Sequence, residues 1–91
     1  MTTEIVGGWS SFDYELTSAV KAVFKEALEG FVGVSYVPSA FATQVVAGTN
    51  YCFLTTGEVS VPNAPHFPAL VYIFKPLNGK AHISEITRIK P

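Results

Sequence analysis

Three features of the 91-residue sequence predict an α+β domain, one amino-terminal helix against an antiparallel sheet of four to five strands. Apolar residues recur at helical spacing over residues 10–30. From residue 31 the alternation shifts to a period of two, the spacing of a half-buried strand. Late in the chain, Asn78-Gly79 separates two runs of β-forming residues, a strong short signal for a hairpin. A helix with one apolar stripe and a sheet with one apolar face each need a cover, so the sheet is expected to wrap the helix in two layers. A chain of this size makes one domain, 1–91, and hides about 60–65% of its extended surface.

Taken in order, Ile5-Val6 presents two β-branched side chains ahead of Gly7-Gly8, a short edge strand and a joint before the helix. Ser10 is expected as the helix N-cap with Asp13 at N3, and Trp9 with Tyr14 as the accompanying staple. Phe12, Leu16, Ala19, Val20, Val23 and Ala27 share one helical face with Phe24 at its margin, while Glu15, Ser18, Lys21, Lys25 and Glu29 lie opposite. Gly30 is placed to close the helix in a left-handed conformation. Val32, Val34 and Tyr36 then alternate with Gly33 and Ser35 as a strand. Pro38 cannot donate to a ladder, so a bulge or an edge is expected there, with pairing resumed over 40–43. Residues 49–55 form the next strand, which Gly57 is expected to end. Pro62, Pro65 and Pro68 make 60–68 a loop. Residues 69–75 and 81–89 complete the sheet, joined through Asn78-Gly79 as a type I′ turn.

Charged residues are 14% and apolar residues 48% of the chain, so apolar surface is left over and a tendency to bind or self-associate follows. The net charge of −1 is spread without a basic patch, which argues against nucleic acid. No apolar run approaches a membrane span. The chain starts at Met1-Thr2-Thr3-Glu4 without a charged-then-apolar leader, so a cytoplasmic location is expected, or else the mature form of a secreted protein. Cys52 is the sole cysteine; it cannot form an internal disulfide, fits a reducing compartment, and reads as a packing thiol in an apolar strand. Catalysis finds little support. Asp13 is the only aspartate and serves the helix start, Glu58 and Glu85 read as solvent-facing, and no nucleophile elbow, P-loop, dinucleotide fingerprint or zinc motif is present. His66 and His82 lie far apart in sequence. A non-enzyme without metal or cofactor is expected.

The stretch Gln44-Val45-Val46-Ala47-Gly48 stands out because a turn between strands carries an uncharged, apolar centre. Connecting loops are ordinarily polar. Either Val45 and Val46 fold inward as core, or the tip is shaped to be buried by a partner. The same five residues resemble the Gln-Val-Val-Ala-Gly signature of the cystatins, and the flanking Thr43 and Thr49-Asn50-Tyr51 resemble the single-domain stefins. Ile5-Val6-Gly7-Gly8 precedes the helix, and Phe74-Lys75-Pro76-Leu77-Asn78-Gly79 is similar to the late stefin hairpin. The three segments follow the family's order, so the resemblance covers essentially the whole chain. The lack of paired cysteines is stefin-like too, since secreted cystatins carry two bridges. The chain departs from stefins in its longer 60–68 loop and in Asn78, which stands where stefins place proline; Pro76-Leu77 also matches the Pro-Trp of secreted cystatins in part.

The resemblance implies a cystatin-like fold and a reversible, noncovalent inhibitor of papain-like cysteine proteases. The protease-binding residues it implies are Ile5, Val6, Gly7 and Gly8 in an N-terminal trunk, Gln44, Val45, Val46, Ala47 and Gly48 in a first hairpin, and Pro76, Leu77 and Asn78 in a second. Gly7 would let backbone approach a partner closely, and Gly48 would permit the sharp reversal of the first hairpin. The rival reading is a binding or structural protein that shares the fold without inhibiting. A monomer is expected; a dimer that exchanges the helix and first two strands, straightening 45–48 into one strand, is the alternative assembly.

Overall fold

β-branched and aromatic residues crowd the chain after residue 33, and there they form one sheet. The computed structural model describes residues 8–91. Its strands, β1 (Val34–Val46), β2 (Gly48–Val59), β3 (Phe67–Lys75) and β4 (His82–Arg88), run antiparallel, each beside its neighbour in sequence. The sheet wraps one helix, α1 (Ser18–Ala27), so the predicted α+β architecture is present. Among the described residues no helix is long and apolar enough to cross a membrane.

The helix starts later than the capping pattern suggests. Thr17, not Ser10, is the N-cap, and its Oγ1 accepts from the Val20 N–H at 3.3 Å. Residues 9–13 are drawn instead onto the outer edge of β1, where Trp9 bridges Gln44 and Asp13 bridges Phe41. The Ser10 N–H donates to the Thr43 carbonyl at 2.8 Å, and Asp13 and Phe41 exchange both backbone hydrogen bonds at 2.8 and 2.9 Å. The Asp13 carboxylate accepts from the Glu15 N–H at 2.8 Å, a local turn that competes with helix. The expected Trp9–Tyr14 staple is absent: Tyr14 is exposed, and Trp9 meets Tyr72 edge-on. Gly30 does close the helical turn, at φ +82°.

Pro38 marks a bulge, as its missing donor requires: the register slips between Pro38 and Ala40, and the Ser39 hydroxyl donates to the Leu54 carbonyl at 3.3 Å. Gly57 does not end β2, which continues to Val59. A β-carbon at Gly57 would come within 2.4 Å of the Phe67 ring, so the absent side chain makes room for an aromatic across the ladder. β3 begins at Phe67, which shortens the proline loop to 60–66 and leaves Pro68 near the strand's start. The type I′ turn is also corrected. The last connection occupies 76–81, and of the pair Asn78-Gly79 only Gly79 has a positive φ, +130°.

The core lies between α1 and the inner face of the sheet. Phe24, placed at the margin of the apolar stripe by spacing alone, is the helix's buried side chain, and its ring lies 4.8 Å from that of Phe53. Phe53 is wholly buried; it stacks on Tyr51 at 5.8 Å and approaches Phe41 at 6.3 Å, with Val71 and Ile73 beside it. Leu16, Val20, Val23 and Ala27 close the rim. Thr55 is buried with them, its hydroxyl satisfied by the Ala69 carbonyl at 2.9 Å. Strand alternation sends Ala42, Cys52 and Tyr72 to the opposite, outer face. Ala42 and Cys52 are nevertheless buried, in a cleft that Trp9 and Phe12 help to line.

Burial pushes the Cys52 thiol above its ordinary range, and its hydrogen bond with Tyr72 only partly offsets that. The folded state therefore holds the thiol proton more tightly than the unfolded state does. Its contribution to stability is complete below the ordinary thiol pKa and is lost as pH rises through the folded one. Iodoacetamide at pH 8 is expected to alkylate Cys52 slowly in the native protein and rapidly in urea, and unfolding midpoints should fall at pH above about 8.5. Phe53→Ala opens the centre of the core and should cost about 3–5 kcal/mol in urea unfolding, a large share of a domain stability of about 5–15 kcal/mol.

Candidate functional site

Antiparallel topology decides which loops are neighbours. β2 starts where β3 ends, Thr49 facing Lys75, so the β1–β2 hairpin and the β3–β4 connection emerge side by side at one end of the sheet. The described chain enters at that same end. Trp9 opposes Gln44 in an antiparallel bridge, so Gly8 lies toward the first hairpin's tip. Across this end the order is entry segment, first hairpin, second hairpin. Of the residues singled out by sequence, Gly8, the 44–48 set and the 76–78 set are thus brought together; Ile5, Val6 and Gly7 lie outside the described residues.

The first hairpin is tight. Gln44 pairs Asn50, Val45 pairs Thr49 and Val46 pairs Gly48, with Ala47 alone at the tip. Val45 and Val46 are 40% and 41% exposed, so the alternative in which they fold inward as core is set aside. Gln44 Oε1 accepts from Asn50 Nδ2 at 2.8 Å, a cross-strand brace just behind the tip. Sequence does not single out Asn50, although its equal distance from Ala47 on the other arm is a usable signal.

Gly48 has a larger part than reversing the chain. It is buried, at φ +115°, and a β-carbon there would come within 2.6 Å of the Lys75 carbonyl oxygen and 3.0 Å of the Phe74 ring. The missing side chain lets the base of the first hairpin lie against the base of the second.

The second connection is held from within and from the helix. Lys75 Nζ donates to the Gly79 carbonyl at 2.7 Å and to the Pro76 carbonyl at 3.4 Å, fastening both limbs of the loop to one ammonium. At its far side the Ala81 N–H donates to Glu26 Oε1 at 2.9 Å, tying α1 to the start of β4. Leu77, 77% exposed, projects from this frame. Lys75 and Glu26 carry no local sequence signal, because their partners are backbone groups set by tertiary structure.

The tips carry no charge: Val45, Val46, Ala47 and Gly48 on one, Pro76, Leu77, Asn78 and Gly79 on the other. Among the described residues no cluster of three or more His, Cys, Asp or Glu side chains could hold a metal ion. The arrangement offers apolar contact and backbone hydrogen-bonding groups on a stiff support, which suits docking to another surface. Comparison with protein-family models, curated proteins and solved structures found no match for this chain.

Gly48→Ala should test how the hairpins are joined. A left-handed alanine and the clash with the Lys75 carbonyl are expected to cost about 1–3 kcal/mol, read as a lowered urea midpoint. An unchanged midpoint would show that the two hairpin bases do not pack through this residue.

Proposed function

We propose that this protein is a cystatin-like, reversible and noncovalent inhibitor of papain-like cysteine proteases, acting as a plug rather than as a catalyst. The observation that carries the reading is the convergence of two uncharged tips, at Ala47 and Leu77, and the chain's entry at Gly8 on one end of the sheet. The sequence resemblance suggests the partner; the row of uncharged tips at one end of the sheet supports the reading.

Energetics favour a multipart contact. A nanomolar complex needs about 12 kcal/mol net, and complexes of this kind bury about 1,600 Å² in total. One hairpin tip is too small for that, whereas two hairpins and an entry segment in a row approach it. The side-chain braces at Gln44–Asn50, Lys75–Gly79 and Glu26–Ala81 reduce the ordering left to be done on docking. Inhibition then comes from occupancy: the tips cover the protease's reactive groups without presenting a peptide carbonyl aligned for attack. Gln44 holds the first tip, Val45, Val46 and Leu77 supply apolar contact, and Pro76 and Asn78 shape the second.

Titration of papain and cathepsin-type enzymes with the purified protein tests this. Activity should fall to zero near an equimolar ratio and return on dilution. Val46→Asp, at an exposed tip position, should raise the dissociation constant at least tenfold, about 1.4 kcal/mol, with the unfolding midpoint unchanged. Full protease activity in excess inhibitor across the panel would overturn the reading.

A further inference from the structure

We infer that the groove between α1 and the first residues of β1 binds a small organic cation, an ammonium group carried on an apolar aryl or alkyl body. The site is separate from the proposed protease-contact surface: residues 34–38 pair with 55–59, at the end of the ladder away from Ala47.

The groove exists because the helix covers only part of the sheet. α1 lies closest to β3 and β4 and does not roof the inner face of β1 over 34–38. What remains between them is a groove of about 740 Å³, within the range of small-molecule sites. Phe24, Leu28 and Phe31 line it from the helix side, and Val34, Tyr36 and Pro38 from the strand. Phe31 is 43% exposed there, a large ring left half in water.

Two of these rings belong to an aromatic row that crosses the sheet. Tyr36 and Phe67 face each other across Gly57, which pairs with both, and its missing side chain lets their centroids approach to 6.2 Å. Phe31 extends the row on the other side of Tyr36, at 5.9 Å. One end of the row already holds a cation: the guanidinium carbon of Arg88 lies 4.0 Å from the centre of the Phe67 ring. The other end, Phe31 and Tyr36, lines the groove. Aromatic faces attract positive charge, and more strongly where the cation is partly stripped of water.

Charges along the rim set the sign of the ligand. Glu26 and Glu29 line the groove against a single lysine, Lys25. Glu26 lies in the last turn of α1 and Glu29 just beyond it, where the helix's carbonyl end adds partial negative charge. Glu26 keeps one oxygen on the Ala81 N–H. Glu29 approaches Lys80 only to 4.0 Å, both side chains mostly in solvent, a pair too weak to hold the carboxylate. An anion entering here gains Lys25 and meets two carboxylates. A cation gains both carboxylates, the helix end and two ring faces, while its apolar body covers Leu28, Val34 and Pro38.

Titration of isotope-labelled, full-length protein with benzyltrimethylammonium, phenylacetate and benzyl alcohol tests sign and place together. The cation should give saturable amide shifts at Phe31, Val34, Ser35 and Tyr36, with a dissociation constant of about a few millimolar or tighter. It should bind at least about fivefold more tightly than the anion or the alcohol. Phe31→Leu keeps an apolar side chain without a ring face, and Glu29→Gln keeps the shape without the charge. Both positions are exposed, so the unfolding midpoint should hold while each substitution weakens the cation about threefold. Phenylacetate or benzyl alcohol binding as tightly as the cation would overturn the inference. So would shifts confined to other parts of the sheet, no saturation by about 50 mM, or either variant binding like the parent.

Discussion

The ladder between β2 and β3 sets everything else in place. Its register puts Phe53, Val71 and Ile73 on the helix side and Cys52 and Tyr72 on the other, and a slip by one residue would exchange the two sets. A glycine beneath an aromatic ring pins the ladder near each end, Gly57 under Phe67 and Gly48 against Phe74. Between them the buried Thr55 hydroxyl finds the Ala69 carbonyl. Each device fits one register only, because moving either strand would drive a ring into a β-carbon or strand a buried hydroxyl without a partner.

From that register follows the shape of the hairpin end. Thr49 opposite Lys75 means that the two loops share a base, and Gly48 lets the bases touch. What happens beyond the base is decided by side chains bonding across each loop. Gln44 reaches Asn50, Lys75 reaches Gly79, and Glu26 reaches up from the helix to Ala81. Polar groups spent on internal bracing leave apolar and uncharged ones at the tips. Composition and geometry here express one division of labour, with hydrogen bonds behind and uncharged, exposed surface in front.

Much of the fold was legible in sequence where local chemistry has one outcome. Pro38 removes a donor and a bulge appears there; Gly30 turns the chain left-handed after α1; the alternation read from residue 31 becomes a strand, though only from Val34. Local signals failed where a distant partner competed. Ser10 and Asp13 carry a convincing helix-start pattern, yet the edge of β1 offers residues 9–13 hydrogen bonds that a first helical turn lacks, and the helix waits for Thr17. Gly57 looked like a stop because its neighbour across the ladder, Phe67, is invisible in the local sequence. Asn78-Gly79 looked like a two-residue turn, whereas Lys75 and Glu26 hold a wider loop open. The tips of the site were readable from their missing charge; the residues that stiffen them were not, since each acts on a group chosen by the fold.

Exposed apolar side chains alone would not single out this end. Val61, in loop 60–66 at the opposite end of the sheet, is exposed too, in keeping with a chain poor in charge. The difference lies in mechanical support. Among the described residues, loop 60–66 is held by backbone hydrogen bonds, from Ser60 to Gly33 and from Ala64 to Val61, and bends through Asn63 at φ +62°. The hairpin end has side-chain braces on both loops and a glycine-mediated contact between them. Loose apolar surface loses its gain on docking to the ordering of the loop that bears it, whereas braced apolar surface keeps it. That contrast within one small domain, rather than hydrophobicity as such, sets the Val45–Leu77 end apart and is what the proposed binding role rests on.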